Sequence, residues 1–250
     1  MRILVVTGTG TGVGKTVVTA AIAACAIRSR QNVAVVKPVQ TGVGPDQPGD
    51  LAEVQRLTGL RDLHEYLRYA EPLAPATAAR RQGEYGLDMW QASERVAALA
   101  DRELVIIEGA GGALVRLNTE ESTIYGLATH LGERYRVEVV LVASAGLGVL
   151  STAALTANAF CHDGPGLHHV VIGDWPASPD LAARCNLGDL RDYAQAPLSG
   201  VIAHGVEQLD RRDFAELAVR SLTPALGGDF DAANFITQNA APLPAQKGRS

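Results

Sequence analysis

Short runs of apolar residues recur along the chain and alternate with longer stretches of helical periodicity. The runs are Ile3–Val6, Asn32–Val36, Leu104–Ile107, Val137–Val142, Val170–Ile172 and, more weakly, Leu198–Ile202. Because they are continuously apolar rather than alternating, they predict strands buried on both faces, as in a parallel sheet. Helices are predicted between them at Lys15–Ser29, Leu87–Ala100, Ser151–Phe160, Leu181–Tyr193 and Arg212–Leu222. This alternation predicts a doubly wound α/β fold, with a mostly parallel sheet between two helical layers.

The length of 250 residues, with 47% apolar and 20% charged residues, is typical of one large globular domain. We predict a single domain over residues 1–226. From Gly227 to Ser250 the periodicity is lost, and two prolines and several Gly, Gln and Asn residues predict a mobile tail without assignable chemistry.

The charge balance and the cysteines exclude several classes of protein. A net charge of −5, from 22 basic and 27 acidic residues, argues against a general nucleic-acid binder. No apolar run approaches the roughly 18 residues of a membrane span. Three distant cysteines, Cys25, Cys161 and Cys185, support neither a disulfide framework nor a zinc site. We therefore expect reduced thiols and a cytoplasmic location.

The strongest motif is the segment Gly-Thr-Gly-Thr-Gly-Val-Gly-Lys-Thr at residues 8–16, which follows the first predicted strand and opens the first helix. Its glycines let backbone N–H groups point at a phosphate, and the helix N-terminus adds a positive dipole end. Lys15 is expected to reach the β- and γ-phosphates and Thr16 to hold Mg²⁺. Thr9 stands where the strict spacing has glycine, so the segment is a variant P-loop. Its context favours nucleotide binding, and hence a P-loop NTPase-like fold, over a generic glycine-rich turn.

Three further side chains are predicted near the phosphate loop, because ligands of a parallel sheet bind beyond the carboxyl ends of the strands. Lys37 is predicted at the end of the second strand and Glu108 at the end of the third. An acid beside a phosphate loop is well placed to hold magnesium. Asp50 precedes Glu53 by three residues, and this spacing taken alone favours a helix cap over a metal ligand.

Taken together, these motifs resemble the dethiobiotin synthetase family over about residues 1–205. The matching segments are the phosphate loop, Lys37-Pro38-Val39-Gln40-Thr41-Gly42, Asp50-Leu51-Ala52, Glu108-Gly109-Ala110-Gly111-Gly112 and Leu147-Gly148-Val149-Leu150. The resemblance implies a cytoplasmic homodimer that converts 7,8-diaminononanoate, CO₂ and ATP to dethiobiotin, ADP and phosphate. A carbamate and a carbamic–phosphoric anhydride are the implied intermediates.

The resemblance also implies roles for individual residues. Catalytic roles fall to Thr11, Lys15 and Lys37, and a magnesium site to Thr16, Asp50 and Glu108, which reverses the capping preference for Asp50. Nucleotide contacts are implied for Gly12, Val13, Gly14, Lys15, Thr16, Val17, Gly173 and Asp174. Substrate contacts are implied for Thr11, Lys37, Thr41, Gly111, Leu147, Gly148, Leu150 and Ser151, the last four across a dimer interface.

The chain departs from the family pattern at several positions. Gly12 replaces a frequent acid, and Ser151 and Thr152 replace an Asn-His pair, although Ser151 can still cap a helix. Gly173 stands where many members read adenine with Asn. A glycine leaves open space and offers only backbone groups, which predicts weak base selectivity and acceptance of other nucleoside triphosphates.

Three other functions stay open on the sequence. A cobyrinate amide synthase-like ligase shares the phosphate loop but uses a nucleophilic Cys, and no Cys here sits in a nucleophile turn. A switch ATPase carries a signature Lys at the position of Gly10. A degenerate homologue would bind nucleotide without catalysis, as the changes at Ser151, Thr152 and Gly173 allow.

Overall fold

The computed structural model describes residues 1–242, apart from the side chains of His162 and Asp163. The strands are β1 (Arg2–Gly8), β2 (Val33–Thr41), β3 (Leu63–Tyr69), β4 (Leu104–Gly112), β5 (Arg136–Ser144), β6 (His169–Trp175) and β7 (Leu198–Ala203). The helices are α1 (Lys15–Arg28), α2 (Asp50–Thr58), α3 (Pro75–Arg81), α4 (Met89–Ala97), α5 (Ile124–Gly132), α6 (Val149–Asp163), α7 (Leu181–Ala194), α8 (Arg211–Ser221) and α9 (Ala232–Asn239).

All seven strands form one sheet in the order β3-β2-β4-β1-β5-β6-β7, and every neighbouring pair is parallel. Side chains of β1 alternate between two apolar cores: Leu4 and Val6 pack on the face covered by α1, Ile3 and Val5 on the opposite face. Both faces are therefore buried, which explains the continuous apolar runs. The predicted doubly wound, three-layer α/β/α fold is confirmed, with a wholly rather than mostly parallel sheet. No helix within residues 1–242 is long and apolar enough to cross a bilayer.

The sequence analysis did not predict the edge strand β3. Its residues are half-buried and include Glu65 and Arg68, so it lacks a continuous apolar run. Strand β2 also extends further than predicted, and Lys37 lies within it rather than at its end. Beyond Val36, β2 pairs only with β3, so Pro38, which has no N–H group, fits there without breaking a ladder on the other side.

Two segments differ from the predicted helix pattern. Helix α6 begins at Val149 after a left-handed Gly148, so Ser151 lies inside the helix and does not cap it. Helix α9 falls in the segment predicted to be a tail. Its Phe235 packs edge-on against Trp175 of β6, and Phe230 and Ile236 pack on the same core. Residues 227–242 are thus held by tertiary contacts that local periodicity does not reveal. Residues 243–250 lie outside the described part, and the domain boundary stays a prediction.

Candidate nucleotide and metal site

The phosphate loop lies at the carboxyl end of β1 and leads directly into α1. Gly14 is the residue before the helix, and it adopts a left-handed conformation with φ 89°. Gly12 has φ 74°, so both positions favour glycine. The Lys15 ammonium donates a hydrogen bond to the Gly10 carbonyl oxygen at 2.7 Å. Left-handed glycines before a helix N-terminus are typical of a phosphate-binding loop, and phosphate binding here stays a prediction.

Gly173 of β6 packs directly against this loop. A Cβ atom at Gly173 would lie 2.1 Å from the Val13 carbonyl oxygen, and one at Gly14 would lie 2.4 Å from the Gly173 carbonyl oxygen. The prediction of open space at Gly173 is therefore wrong: the residue is buried, and the absence of a side chain is what lets the loop approach β6. The neighbouring Asp174 is exposed and is bonded to the ring of His204 at 2.8 Å.

A buried cluster lies beside the phosphate loop, where β2, β4 and α2 meet. The Lys37 Nζ atom is 2.8 Å from Glu108 Oε1 and 2.5 Å from Asp50 Oδ2. The Thr16 hydroxyl donates to the same Glu108 Oε1 at 2.9 Å. Lys37 also donates to the Gly109 carbonyl oxygen. One ammonium group thus joins two carboxylates that belong to different elements.

Asp50 does not act as a helix cap. The residue before α2 is Gly49, Asp50 is the first residue of the helix, and its carboxylate reaches Lys37 instead. The capping alternative for Asp50 is therefore wrong. Sequence spacing could not separate the two roles, because Lys37 approaches Asp50 only through the pairing of β2 with its neighbours.

The pKa values of the two lysines of the site are shifted in opposite directions. Burial lowers the pKa of Lys15, and the nearby charge of Lys37 lowers it further, against the smaller pull of Glu108. Burial also disfavours the charged form of Lys37, whose side chain is only 3% exposed, but the charges of Glu108 and Asp50 outweigh it and raise its pKa. Lys37 is therefore a permanent cation, and Lys15 is a cation that an incoming anion would stabilise.

The residues of this cluster fit a magnesium ion. Glu108 is fully buried, and its Oε2 atom has no hydrogen-bond partner. An unpaired carboxylate oxygen in a buried site is costly unless a cation binds it. Carboxylate and hydroxyl oxygens are the ligands that Mg²⁺ prefers, and the ion usually completes its shell with water and phosphate. Within residues 1–242 no cluster of three or more His, Cys, Asp or Glu residues able to hold a metal occurs, so the protein ligands offered here are two carboxylates and one hydroxyl.

These groups line a cavity of about 620 Å³. Predicted site residues on its wall are Thr11, Gly12, Gly14, Lys15, Thr16, Val17, Lys37, Thr41, Asp50, Glu108 and Gly111. The rest of the wall had no predicted role. Val39, Gln40, Gly42 and Ala110 lie in the quoted family segments, whereas the sequence analysis missed Pro72, Leu73, Ala74, Pro75 and Val115. The segment at residues 72–75 follows the unpredicted β3, so no strand pattern pointed to it.

Other predicted site residues lie outside this cavity. They are Val13, Gly173, Asp174, Leu147, Gly148, Leu150 and Ser151. Leu147 is 88% exposed, and Gly148 and Ser151 are exposed beside it. The structure therefore brings the Lys15, Lys37, Thr16, Asp50 and Glu108 groups together but leaves Leu147, Gly148 and Ser151 exposed outside the cavity of the same chain.

Comparison with known proteins gives consistent matches over most of the chain. A family model described as an AAA domain matches residues 2–212. The ATP-dependent dethiobiotin synthetase of Frankia casuarinae is 54% identical over 236 residues, which cover 94% of this chain and 98% of the relative. The dethiobiotin synthetases of Streptomyces coelicolor and Saccharopolyspora erythraea are 48% and 50% identical over 94% and 91% of this chain, and 98% of each relative.

Two solved structures of similar shape are of cell-division proteins. MinD of Pyrococcus furiosus has a TM-score of 0.53 and 17% identity, covering 87% of this chain and 96% of that one. A chain of the MinC:MinD complex of Aquifex aeolicus has a TM-score of 0.52 and 14% identity, covering 98% and 99%. At these identities the likeness shows the fold alone.

Proposed function

The chain belongs to the ATP-dependent dethiobiotin synthetase family, and from this premise we infer how its residues carry out the reaction. It is an ATP-dependent ligase of biotin biosynthesis that forms C–N bonds, with ATP and diaminononanoate as substrates. The single observation that carries the residue assignment is the buried Lys37, held between Asp50 and Glu108 at the wall of the phosphate-loop cavity.

The proposed chemistry has three steps. One substrate amine adds to CO₂ and loses a proton, which gives a carbamate. A carbamate oxygen then attacks the γ-phosphorus of ATP, and ADP leaves. The second amine finally attacks the carbonyl carbon of this mixed anhydride, closes the ureido ring and expels phosphate. Such phosphoryl transfer depends mostly on positioning and charge, so no dedicated general base is required.

The phosphate loop would hold the triphosphate in this scheme. Gly12, Gly14, Lys15 and Thr16 line the cavity at the N-terminus of α1, where backbone N–H groups would bind phosphate oxygens. Phosphate oxygens would replace the Gly10 carbonyl as the partner of the Lys15 ammonium. Lys37, which also lines the cavity and whose pKa is raised by Glu108 and Asp50, would neutralise charge on the carbamate and the transferring phosphoryl group.

Thr16, Asp50 and Glu108 would hold Mg²⁺, in keeping with the unpartnered oxygen of Glu108. The ion would supply neutralisation of phosphate charge. Thr11 and Thr41 line the cavity, and their hydroxyls would contact the carbamate or the amines. The wall at residues 72–75 would shield these polar groups from water, which strengthens electrostatic interactions inside the site.

We further propose a cytoplasmic homodimer in which residues 147–151 of one chain serve the cavity of the other. In support, Leu147 and Leu155 expose large apolar surfaces near the start of α6, although residues 147–151 do not line the cavity of their own chain. The free thiols of Cys25, Cys161 and Cys185 suit a reducing compartment. Sedimentation equilibrium with Leu147→Asp would test the dimer.

The nucleotide base is proposed to be read weakly. Gly173 packs against the phosphate loop, and the neighbouring Asp174 and its partner His204 are exposed side chains that can rearrange in water. Phosphate contacts would then dominate binding, and CTP or GTP would replace ATP. A kcat/KM that strongly favours one nucleotide would refute this part.

The experiment that tests the function measures ADP release with ATP, with and without diaminononanoate and bicarbonate. Release that requires both, with formation of dethiobiotin, is expected. Release independent of the diamine would indicate a switch ATPase, and nucleotide binding without any release would indicate a degenerate homologue. The same assay with CTP and GTP measures base preference.

A further inference from the structure

The first turn of α2, which carries Asp50 into the site, is anchored by a side chain from β2. Helix α2 is preceded by Gly49, and it has no side-chain cap of its own. Instead the Gln40 Oε1 atom accepts a hydrogen bond from the Asp50 backbone N–H at 2.9 Å. The amide end of Gln40 is itself fixed, because its Nε2 atom donates to the Thr41 carbonyl oxygen at 3.1 Å. Gln40 is buried, so the contact is shielded from water.

We propose that Gln40 is a positioning residue for Asp50 in the reaction, an inference that rests on the proposed role of Asp50 in holding Mg²⁺. Gln40 fixes the backbone of Asp50, while Lys37 from the same strand meets its carboxylate at 2.5 Å. Because one contact holds the backbone and the other the carboxylate, β2 determines where the carboxylate oxygens lie.

Gly49 gives independent support for a tight fit between the strand and the helix start. A Cβ atom at Gly49 would lie 2.8 Å from Gln40 Oε1 and 3.1 Å from the Arg68 Nη2 atom. Ser or Asp, the usual caps, would therefore displace the Gln40 amide. Glycine at position 49 leaves α2 without a local side-chain cap, and Gln40 of β2 supplies the hydrogen bond that ties the start of α2 to the sheet.

Arg68 holds the connection between β2 and α2, ahead of Gly49, but does not replace the contact that Gln40 makes. Its Nη1 atom donates to the carbonyl oxygens of Gly44 and Gln47 at 3.0 and 2.7 Å, and Glu65 fixes its guanidinium with two bonds. Within the described residues, Gln40 Oε1 is the one side-chain atom that accepts a hydrogen bond from the Asp50 backbone N–H. Without it the N–H would lose its partner and the first turn would open.

The test compares Gln40→Ala with the unmodified protein in two measurements. Hydrogen exchange of the Asp50 amide should accelerate about tenfold, which is the effect of losing one net hydrogen bond. The Mg²⁺ affinity of the enzyme–ADP complex, measured by calorimetry, should fall about 10- to 100-fold, as for other partners that orient metal ligands. Asp50→Asn in parallel tests the proposed metal role itself.

A matched control and a rescue separate positioning from other effects. Asp88→Ala removes the side-chain cap of α4, far from the cavity lining, and should leave Mg²⁺ affinity unchanged. Adding Gly49→Ser to Gln40→Ala removes the contact with Gln40 and gives α2 a local cap on the N–H of Leu51 or Ala52, which should order the first turn and restore part of the affinity. A direct substrate contact by Gln40 would give no such rescue.

The outcomes distinguish the two proposals. Lost Mg²⁺ affinity in Asp50→Asn but not in Gln40→Ala overturns the positioning role alone. Retained affinity in Asp50→Asn overturns the proposed metal role. Unchanged exchange of the Asp50 amide in Gln40→Ala likewise refutes positioning by Gln40.

Discussion

The contact between Gly173 and the phosphate loop predicts that one added methyl group at this position disables the enzyme. In Gly173→Ala the new Cβ atom would lie 2.1 Å from the Val13 carbonyl oxygen and 2.6 Å from Val142 Cγ1. Non-bonded carbon–oxygen contacts rarely fall below roughly 3.3 Å, so the loop and β6 must separate by about 1 Å. The contact is with a backbone carbonyl oxygen, so a side-chain rotamer change cannot relieve the clash.

The expected loss follows from that displacement. A misplacement of about 1 Å in a catalytic group can cost about 10²-fold in rate, so kcat/KM for ATP should fall by about that factor. Overpacking a buried position typically costs about 1–3 kcal/mol of unfolding free energy. In a chain of this length each 1 kcal/mol lowers Tm by about 2–4 °C, so scanning calorimetry should detect the change.

Gly188 provides the matched control for Gly173. It lies on the exposed side of α7, and a Cβ atom there would meet no other atom within 4 Å. Gly188→Ala should leave kcat/KM unchanged and raise the unfolding free energy by about 0.5–1 kcal/mol. A Gly173→Ala protein with unmodified kcat/KM and Tm would refute the close packing of β6 on the loop.

Three further predictions concern charges. Lys15→Ala should lower kcat by about 10²-fold or more, because it removes a charge aimed at the phosphoryl group, and near-normal turnover by a folded variant would exclude that role. Glu108→Gln should raise the Mg²⁺ concentration for half-maximal ADP release about 10- to 100-fold. Burial raises the pKa of Glu138, but bonds from Arg2 and His169 outweigh this and hold it at about 2. Ionised Glu138 therefore stabilises the fold above pH 4.5, and this contribution is lost as the pH falls toward 2. Urea unfolding from pH 2.5 to 7 should show a flatter profile in Glu138→Gln, and equal slopes would contradict it.

The sequence by itself determined most of the fold and the identity of the phosphate site. Six strands were predicted from continuous apolar runs, because both faces of the sheet are covered by helices and their side chains are mostly buried. The phosphate loop could also be predicted from the sequence, since its glycines and the Lys15-Thr16 pair lie in one contiguous segment. Strand β3 could not be predicted in this way. It lies at the edge of the sheet and carries Glu65 and Arg68, so it has no continuous apolar run.

Tertiary structure alone decided the roles that depend on residues distant in the chain. Asp50 has the local spacing of a cap, and only the approach of Lys37 shows that its carboxylate faces the cavity. The family resemblance implies a base-reading position at Gly173, and only its contact with Val13, 160 residues earlier, shows that it is a packing site. Helix α9 likewise exists through the packing of Phe235 on Trp175. Local pattern records which residues can form an element, whereas side-chain roles follow from the neighbours that folding supplies.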